Sequence, residues 1–171
     1  MLYPILKRQN EGLALGYVTA RIIESAFIAV GIVSLLAVVT LRRDAGGVAG
    51  AGSLVPVGRS LVAIHQWTFV LGPGWVVGIG NGLLLGYLMY QSGLVPRGMA
   101  MLGLIGGPLI LISGSAVLLN VIDRGSAPQA IATIPEFLWE LSLGIYLMVK
   151  GFKPSPITAG LGSPAPPSAA A

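Results

Sequence analysis

Apolar and polar positions alternate along this chain in blocks, each long enough to cross a bilayer. The polar head Lys7-Arg8-Gln9-Asn10-Glu11 is followed by an apolar run from Leu13 to Leu41 whose only charges are Arg21 and Glu24. A spanning helix needs about 20 apolar residues, so this is a first span, 13–41, with Asn10 placed to cap it. Arg42, Arg43 and Asp44 close it. The glycine-rich stretch from Ala45 to Gly58 has no period and little side-chain volume, which predicts a flexible extramembrane loop. Leu61 to Tyr90 would be about 45 Å as one straight helix, too long for a hydrocarbon core of about 30 Å. Gly72-Pro73-Gly74 is expected to break it. The pieces are then an interfacial segment carrying His65, Gln66 and Trp67, and a second span, 74–90. A third span covers 98–121, and Asp123-Arg124-Gly125 turns the chain. The fourth begins between Ala127 and Ile134, giving a span of 131–150. The fold class is all-α: a polytopic transmembrane bundle of about four spanning helices, forming one domain over 1–153. Residues 154–171, rich in Pro, Ala, Gly and Ser and uncharged, are expected to be disordered.

Composition agrees and removes several chemistries. Of 171 residues, 54% are apolar and 9% charged, where soluble domains carry about 25% charged residues. With no cysteine and one histidine, no disulfide, thiolate, Cys-based zinc site or multi-His metal site can be built. A net charge of +4, scattered along the chain, leaves no footprint for nucleic acid. Neither a Ser/His/Asp arrangement nor a metal constellation is visible, so no enzyme, metal or cofactor is expected.

Basic residues orient the bundle. Lys7, Arg8, Arg97, Lys150 and Lys153 fall on one side, and Arg42, Arg43, Arg59 and Arg124 on the other. The excess of one predicts both termini in the cytoplasm and a plasma-membrane location. The first apolar run lacks a short h-region and cleavage site, so it is expected to be an uncleaved anchor.

Small residues point to the packing. Gly74, Gly78, Gly82 and Gly86 recur every four residues in the second span, and Gly103 and Gly107 offer a matching stripe in the third. Such faces let two backbones approach closely. The second and third spans should form a tight antiparallel hairpin, a homodimer seam being the alternative. Gly80 lies off that stripe and is expected to tolerate a side chain better. Gly78-x-Gly80-x-x-Leu83 fails the G-x-G-x-x-G pattern at its last position.

Arg21, Glu24, Asn81, Glu136 and Glu140 form the candidate site. An ionised side chain at a helix centre costs about 2.5–3.5 kcal/mol, so these residues must pair or face the interior. Spacings of three and four put Arg21 with Glu24, and Glu136 with Glu140, on single helix faces. At 1.5 Å per residue, Arg21, Asn81 and Glu140 lie about 15–16 Å from Asn10, Gln91 and Lys150, a shared depth that predicts an Arg21–Glu140 pair. Other readings stand beside this one. Thr133-Ile134-Pro135-Glu136 also fits a capping box, Arg21 and Glu24 fit a helix protruding from the bilayer, and Asn81 fits a simple interhelical hydrogen bond. His65 with Trp67 reads as an interfacial anchor.

A set of motifs carries a family resemblance. The opening Leu2-Tyr3-Pro4-Ile5-Leu6-Lys7-Arg8-Gln9-Asn10-Glu11-Gly12 through Tyr17 is the first, followed by Arg21-Ile22-Ile23-Glu24 and by His65-Gln66-Trp67-Thr68-Phe69 with Leu71-Gly72-Pro73-Gly74. Gly86-Tyr87-Leu88-Met89-Tyr90, Gly93-Leu94-Val95-Pro96-Arg97-Gly98, Glu136-Phe137-Leu138-Trp139-Glu140 and Val149-Lys150-Gly151-Phe152 complete it. Together, over residues 2–153, they resemble the bacterial membrane proteins grouped as domain-of-unknown-function family 4386. The resemblance implies an integral membrane protein and no particular activity. Members usually carry two further helices upstream, so the resemblance implies a chain that starts at the end of the second. They also often carry an acidic residue where Gln66 stands. Two function classes follow. One is a structural or accessory protein whose buried ion pairs fix helix register; the other is a small proton- or cation-coupled transporter using the surplus carboxylates. The partners expected are the lipid bilayer and a homo-oligomer or other membrane proteins.

Overall fold

The computed structural model describes residues 2–44 and 51–159. Among them there is no strand, and five helices follow in order: α1 (Tyr3–Leu6), α2 (Glu11–Asp44), α3 (Val55–Ser92), α4 (Arg97–Leu118) and α5 (Ala127–Val149). The last four are long and apolar enough to cross a membrane. The expected all-α bundle is therefore present, and each helix boundary has a local cause. The Asn10 Oδ1 accepts the Leu13 N–H at 3.0 Å and starts α2 as an N-cap. Gly93, at φ +65°, stops α3, a left-handed turn that glycine makes at no steric cost. Asn120, at φ +56°, closes the turn after α4, so that span ends at Leu118 rather than at residue 121.

Several expectations need correction. Helix α3 does not break at Gly72-Pro73-Gly74. It continues through them as wide π-type turns over Val70–Val76 and Gly78–Leu85. Pro73 lacks an N–H and would crowd the Phe69 carbonyl in a tight α-turn; a wider turn relieves the crowding. A true break in the buried centre of the bundle would leave backbone groups without partners. The interfacial segment is thus the first part of the same helix as the second span. Helix α5 begins at Ala127, the near edge of the expected range and four residues before the span written as 131–150. Pro128 sits in its first turn, where a missing N–H costs nothing. Thr133 is interior, with its Oγ1 donating to the Gln129 carbonyl at 2.9 Å, so the capping-box reading of Thr133 and Glu136 does not hold. Finally, residues 51–54 form a 3-10 turn and Val55–Gly58 are helical, so part of the expected loop is ordered; residues 45–50 lie outside the described residues.

Helix α3 is the centre of the bundle. Half of its most apolar window is buried, against 17% for α2 and for α5. It packs on α2 along one side and on α4 along the other, while α5 lies on α4. Helices α2 and α5 do not pack along their lengths, which leaves a seam between them. At 1.5 Å per residue α2 is about 51 Å long and α4 about 33 Å, so the α2–α3 hairpin reaches beyond α4 and α5. The largest apolar core lies at the end that carries the termini, around Leu6, Leu85, Leu88, Met89, Leu94 and Trp139. Residues 154–159, expected to be disordered, hold a turn there whose Ile157 and Ala159 carbonyls accept from Arg8 Nη1 at 3.1 Å each. The rest of that tail, 160–171, lies outside the described residues.

Candidate functional site

The glycine faces set the helix separations that build the site. A Cβ on Gly82 would collide with the Gly107 Cα, and one on Gly78 would lie 2.8 Å from the Gly107 carbonyl. A Cβ on Gly86 would lie 3.3 Å from the Leu104 nitrogen. Helices α3 and α4 therefore touch backbone to backbone through Gly78, Gly82, Gly86 and Gly107. Gly74 is not part of that face, since nothing outside its own helix comes near it. Gly103 serves α5 instead: a Cβ there would meet the Trp139 indole at 2.8 Å. Gly80 is no tolerant position either, because its Cβ would lie 2.6 Å from the Ala20 Cβ on α2. Gly80 is thus off the α4-facing stripe as expected, but the face it lies on is packed against α2, while Gly74 borders an open cleft, with Ile110 and Gly114 of α4 in its lining, rather than the α4 backbone.

The polar residues gather around this crossing. Arg21 Nη1 lies 2.6 Å from Glu24 Oε2 on its own helix and 3.7 Å from Glu140 Oε1 across the seam. Asn81, on the π-type part of α3, donates its Nδ2 to the same Glu140 oxygen. Three helices are thus tied at one level by four side chains. Arg21 and Glu140 remain 42% and 41% uncovered, whereas Glu24 is buried. Glu136 stands apart from this chain of contacts. It is 2% exposed and neither carboxyl oxygen has a hydrogen-bond partner. Its Oε2 occupies the space that Cβ atoms on Gly82 and Gly106 would approach to 2.8 Å. The pocket around this carboxyl exists only because those two residues have no side chains.

Two contacts escape sequence reasoning. The Trp139 indole N–H donates to the Asn81 carbonyl at 3.0 Å, inside the bundle. Its position between Glu136 and Glu140 on α5 is a signal of a kind, since a tryptophan buried in an apolar core seeks an acceptor. On the other side of α3, the Trp75 indole donates to Ser115 Oγ on α4 at 3.0 Å. His65, read as an anchor, turns inward: its Nδ1 lies 3.2 Å from the Gly31 carbonyl, so this nitrogen carries the hydrogen.

Comparison with known families bears on this arrangement. Residues 1–151 match the family described as Domain of unknown function (DUF4386). The chain belongs to this family. The match takes in all five helices, and with them every residue of the polar cluster. The DUF4386 description attaches no activity to the family. No curated protein and no solved structure matches the chain.

Proposed function

We propose that this DUF4386 chain is a structural or accessory protein of the plasma membrane, both ends cytoplasmic, whose α2–α5 seam is covered by another membrane helix. The observation that carries this reading is the half-uncovered Arg21–Glu140 pair at mid-depth. Bare lipid there costs about 2.5–3.5 kcal/mol for each ionised group, and intramembrane charges face protein or water. Cysteine chemistry tests it cleanly, because the chain has no cysteine of its own. Ser25 is four residues from Arg21 and Gly144 four from Glu140, so both flank the seam, and a side chain on Gly144 would meet nothing. Ser25→Cys and Gly144→Cys are expected to resist a membrane-impermeant maleimide in native membranes. Modified with benzophenone maleimide and irradiated, they are expected to cross-link to a protein, either a second copy or another membrane protein. Cross-linking to lipid alone would remove the reading. In the same background Lys153→Cys should be labelled only in opened cells and Arg59→Cys in intact ones.

A second reading has its own support in Glu136. An ionised carboxylate enclosed without a donor is far costlier than one in water, which suits Glu136 to taking up a proton or a cation. That favours a proton- or cation-coupled transporter, and labelling of the seam cysteines by the aqueous maleimide would speak for it. Under this reading, the reconstituted protein passes protons into liposomes, and Glu136→Gln, which keeps shape and removes the acid, abolishes the flux without lowering the melting temperature. No flux from the parent protein counts against it.

A further inference from the structure

At the end of the bundle away from the termini, α3, α4 and α5 enclose a cleft of about 410 Å³, within the span of small-molecule sites, about 300–1,000 Å³. Phe69, Val70, Pro73 and Ile110 give it apolar walls. Gly74 faces it without a side chain: a Cβ there would meet nothing nearer than the Phe69 carbonyl of its own helix, at 3.5 Å. The rim is polar, with Gln66 and Gln129 on either side of Arg124. Arg124 stands in the turn between α4 and α5 and is held in place from two directions. Its Nη2 donates to Gln66 Oε1 at 2.5 Å, and its guanidinium carbon lies 6.0 Å from the centre of the Trp67 ring. Trp67 is a residue type that settles at the membrane surface, which places the rim at headgroup level. Among the described residues no carboxylate pairs with Arg124, its neighbour Asp123 included. A guanidinium carries five N–H donors, and only one is engaged by another side chain here.

A cation held by Gln66 and Trp67 and without a carboxylate partner among the described residues therefore stands at the rim of a cleft with apolar walls. We propose that this cleft binds a phospholipid with an anionic headgroup, its phosphate on Arg124 and an acyl chain along Phe69, Val70, Pro73 and Ile110. Guanidinium–phosphate contact anchors the headgroup. The preference for an anionic lipid comes from net charge, since the ammonium of a zwitterionic choline headgroup offsets its phosphate and is repelled by Arg124. Basic pockets between spanning helices are suited to anionic lipids. The site is separate from the Arg21 cluster and independent of the proposed function.

Native mass spectrometry of the delipidated full chain in detergent tests this. Phosphatidylglycerol is expected to bind one to one and about tenfold more tightly than phosphatidylcholine with the same acyl chains, the order of effect of one basic side chain on an anionic lipid against a neutral one. Arg124→Gln should erase that difference, Arg124→Lys should retain part of it, and Gly74→Leu, which fills the slot, should weaken both lipids. Inorganic phosphate should not compete at concentrations where the lipid is bound. Equal affinity for the two lipids, or a preference that survives Arg124→Gln, overturns the proposal. Displacement of the lipid by inorganic phosphate overturns the lipid as occupant in favour of a free anion.

Discussion

Gly82→Leu is expected to lower the stability of the folded protein by about 3 kcal/mol or more, the upper end of overpacking effects. The reason is that the obstacle is backbone. A Cβ on Gly82 collides with the Gly107 Cα on α4 and would also lie 2.8 Å from Glu136 Oε2. A side chain in the way could rotate aside, but a helix must move as a body, and moving α4 carries α5 with it. Gly74→Leu is the matching control: the same substitution, two turns away on the same helix, with no neighbouring element in its path. Thermal unfolding in a mild detergent should separate the two variants widely. Equal melting temperatures would mean that the α3–α4 crossing is not the tight contact described above. Gly80→Leu should fall near Gly82→Leu rather than near the control, because Ala20 blocks it.

Arg21→Leu is the second large effect, and its pattern across double variants matters more than its size. Removing one partner of a buried ion pair costs about 3–5 kcal/mol, while replacing both with apolar residues is often close to neutral. Arg21 has two carboxylate partners, and they are unequal. Glu24 is nearer, at 2.6 Å against 3.7 Å, and far less exposed than Glu140. Losing Arg21 therefore strands Glu24 in a buried position, whereas Glu140 keeps its contact with Asn81. Arg21→Leu should be clearly more destabilising than Glu140→Leu. Adding Glu24→Leu to Arg21→Leu should recover more stability than adding Glu140→Leu. Melting temperatures of the four-member cycles measure both couplings. Simple additivity in both would show that the three side chains do not interact, and a larger recovery with Glu140→Leu would reverse their assigned ranks.

How much of this was written in the sequence depends on the scale of the signal. Four long apolar blocks determined the all-α bundle, because an unpaired backbone in lipid leaves helix as the available solution for each block. The cost of intramembrane charge likewise singled out Arg21, Glu24, Asn81, Glu136 and Glu140, and counting residues from the polar boundaries placed three of them at one depth. Spacing by four found Gly78, Gly82 and Gly86, and Asn10 was legible as a cap. Beyond that, local rules lost to packing. Gly72-Pro73-Gly74 reads as a break in any local rule, yet α3 is held on both sides by α2 and α4 and accommodates the proline by widening its turns. Spacing by four could not tell which neighbour each glycine meets: Gly74 borders an open cleft instead of the α4 backbone, and Gly80, off the stripe as expected, meets Ala20 on α2. Gly103 and Gly106 likewise face α5, which sits far from the hairpin in sequence. The same holds for charge: sequence depth paired Arg21 with Glu140, but only the three-dimensional arrangement put Glu24 closer, enclosed Glu136 between two glycines, and left the α2–α5 seam open. Depth along a helix follows from counting residues, while azimuth around it and the neighbour it faces are decided by the packing of all four helices together.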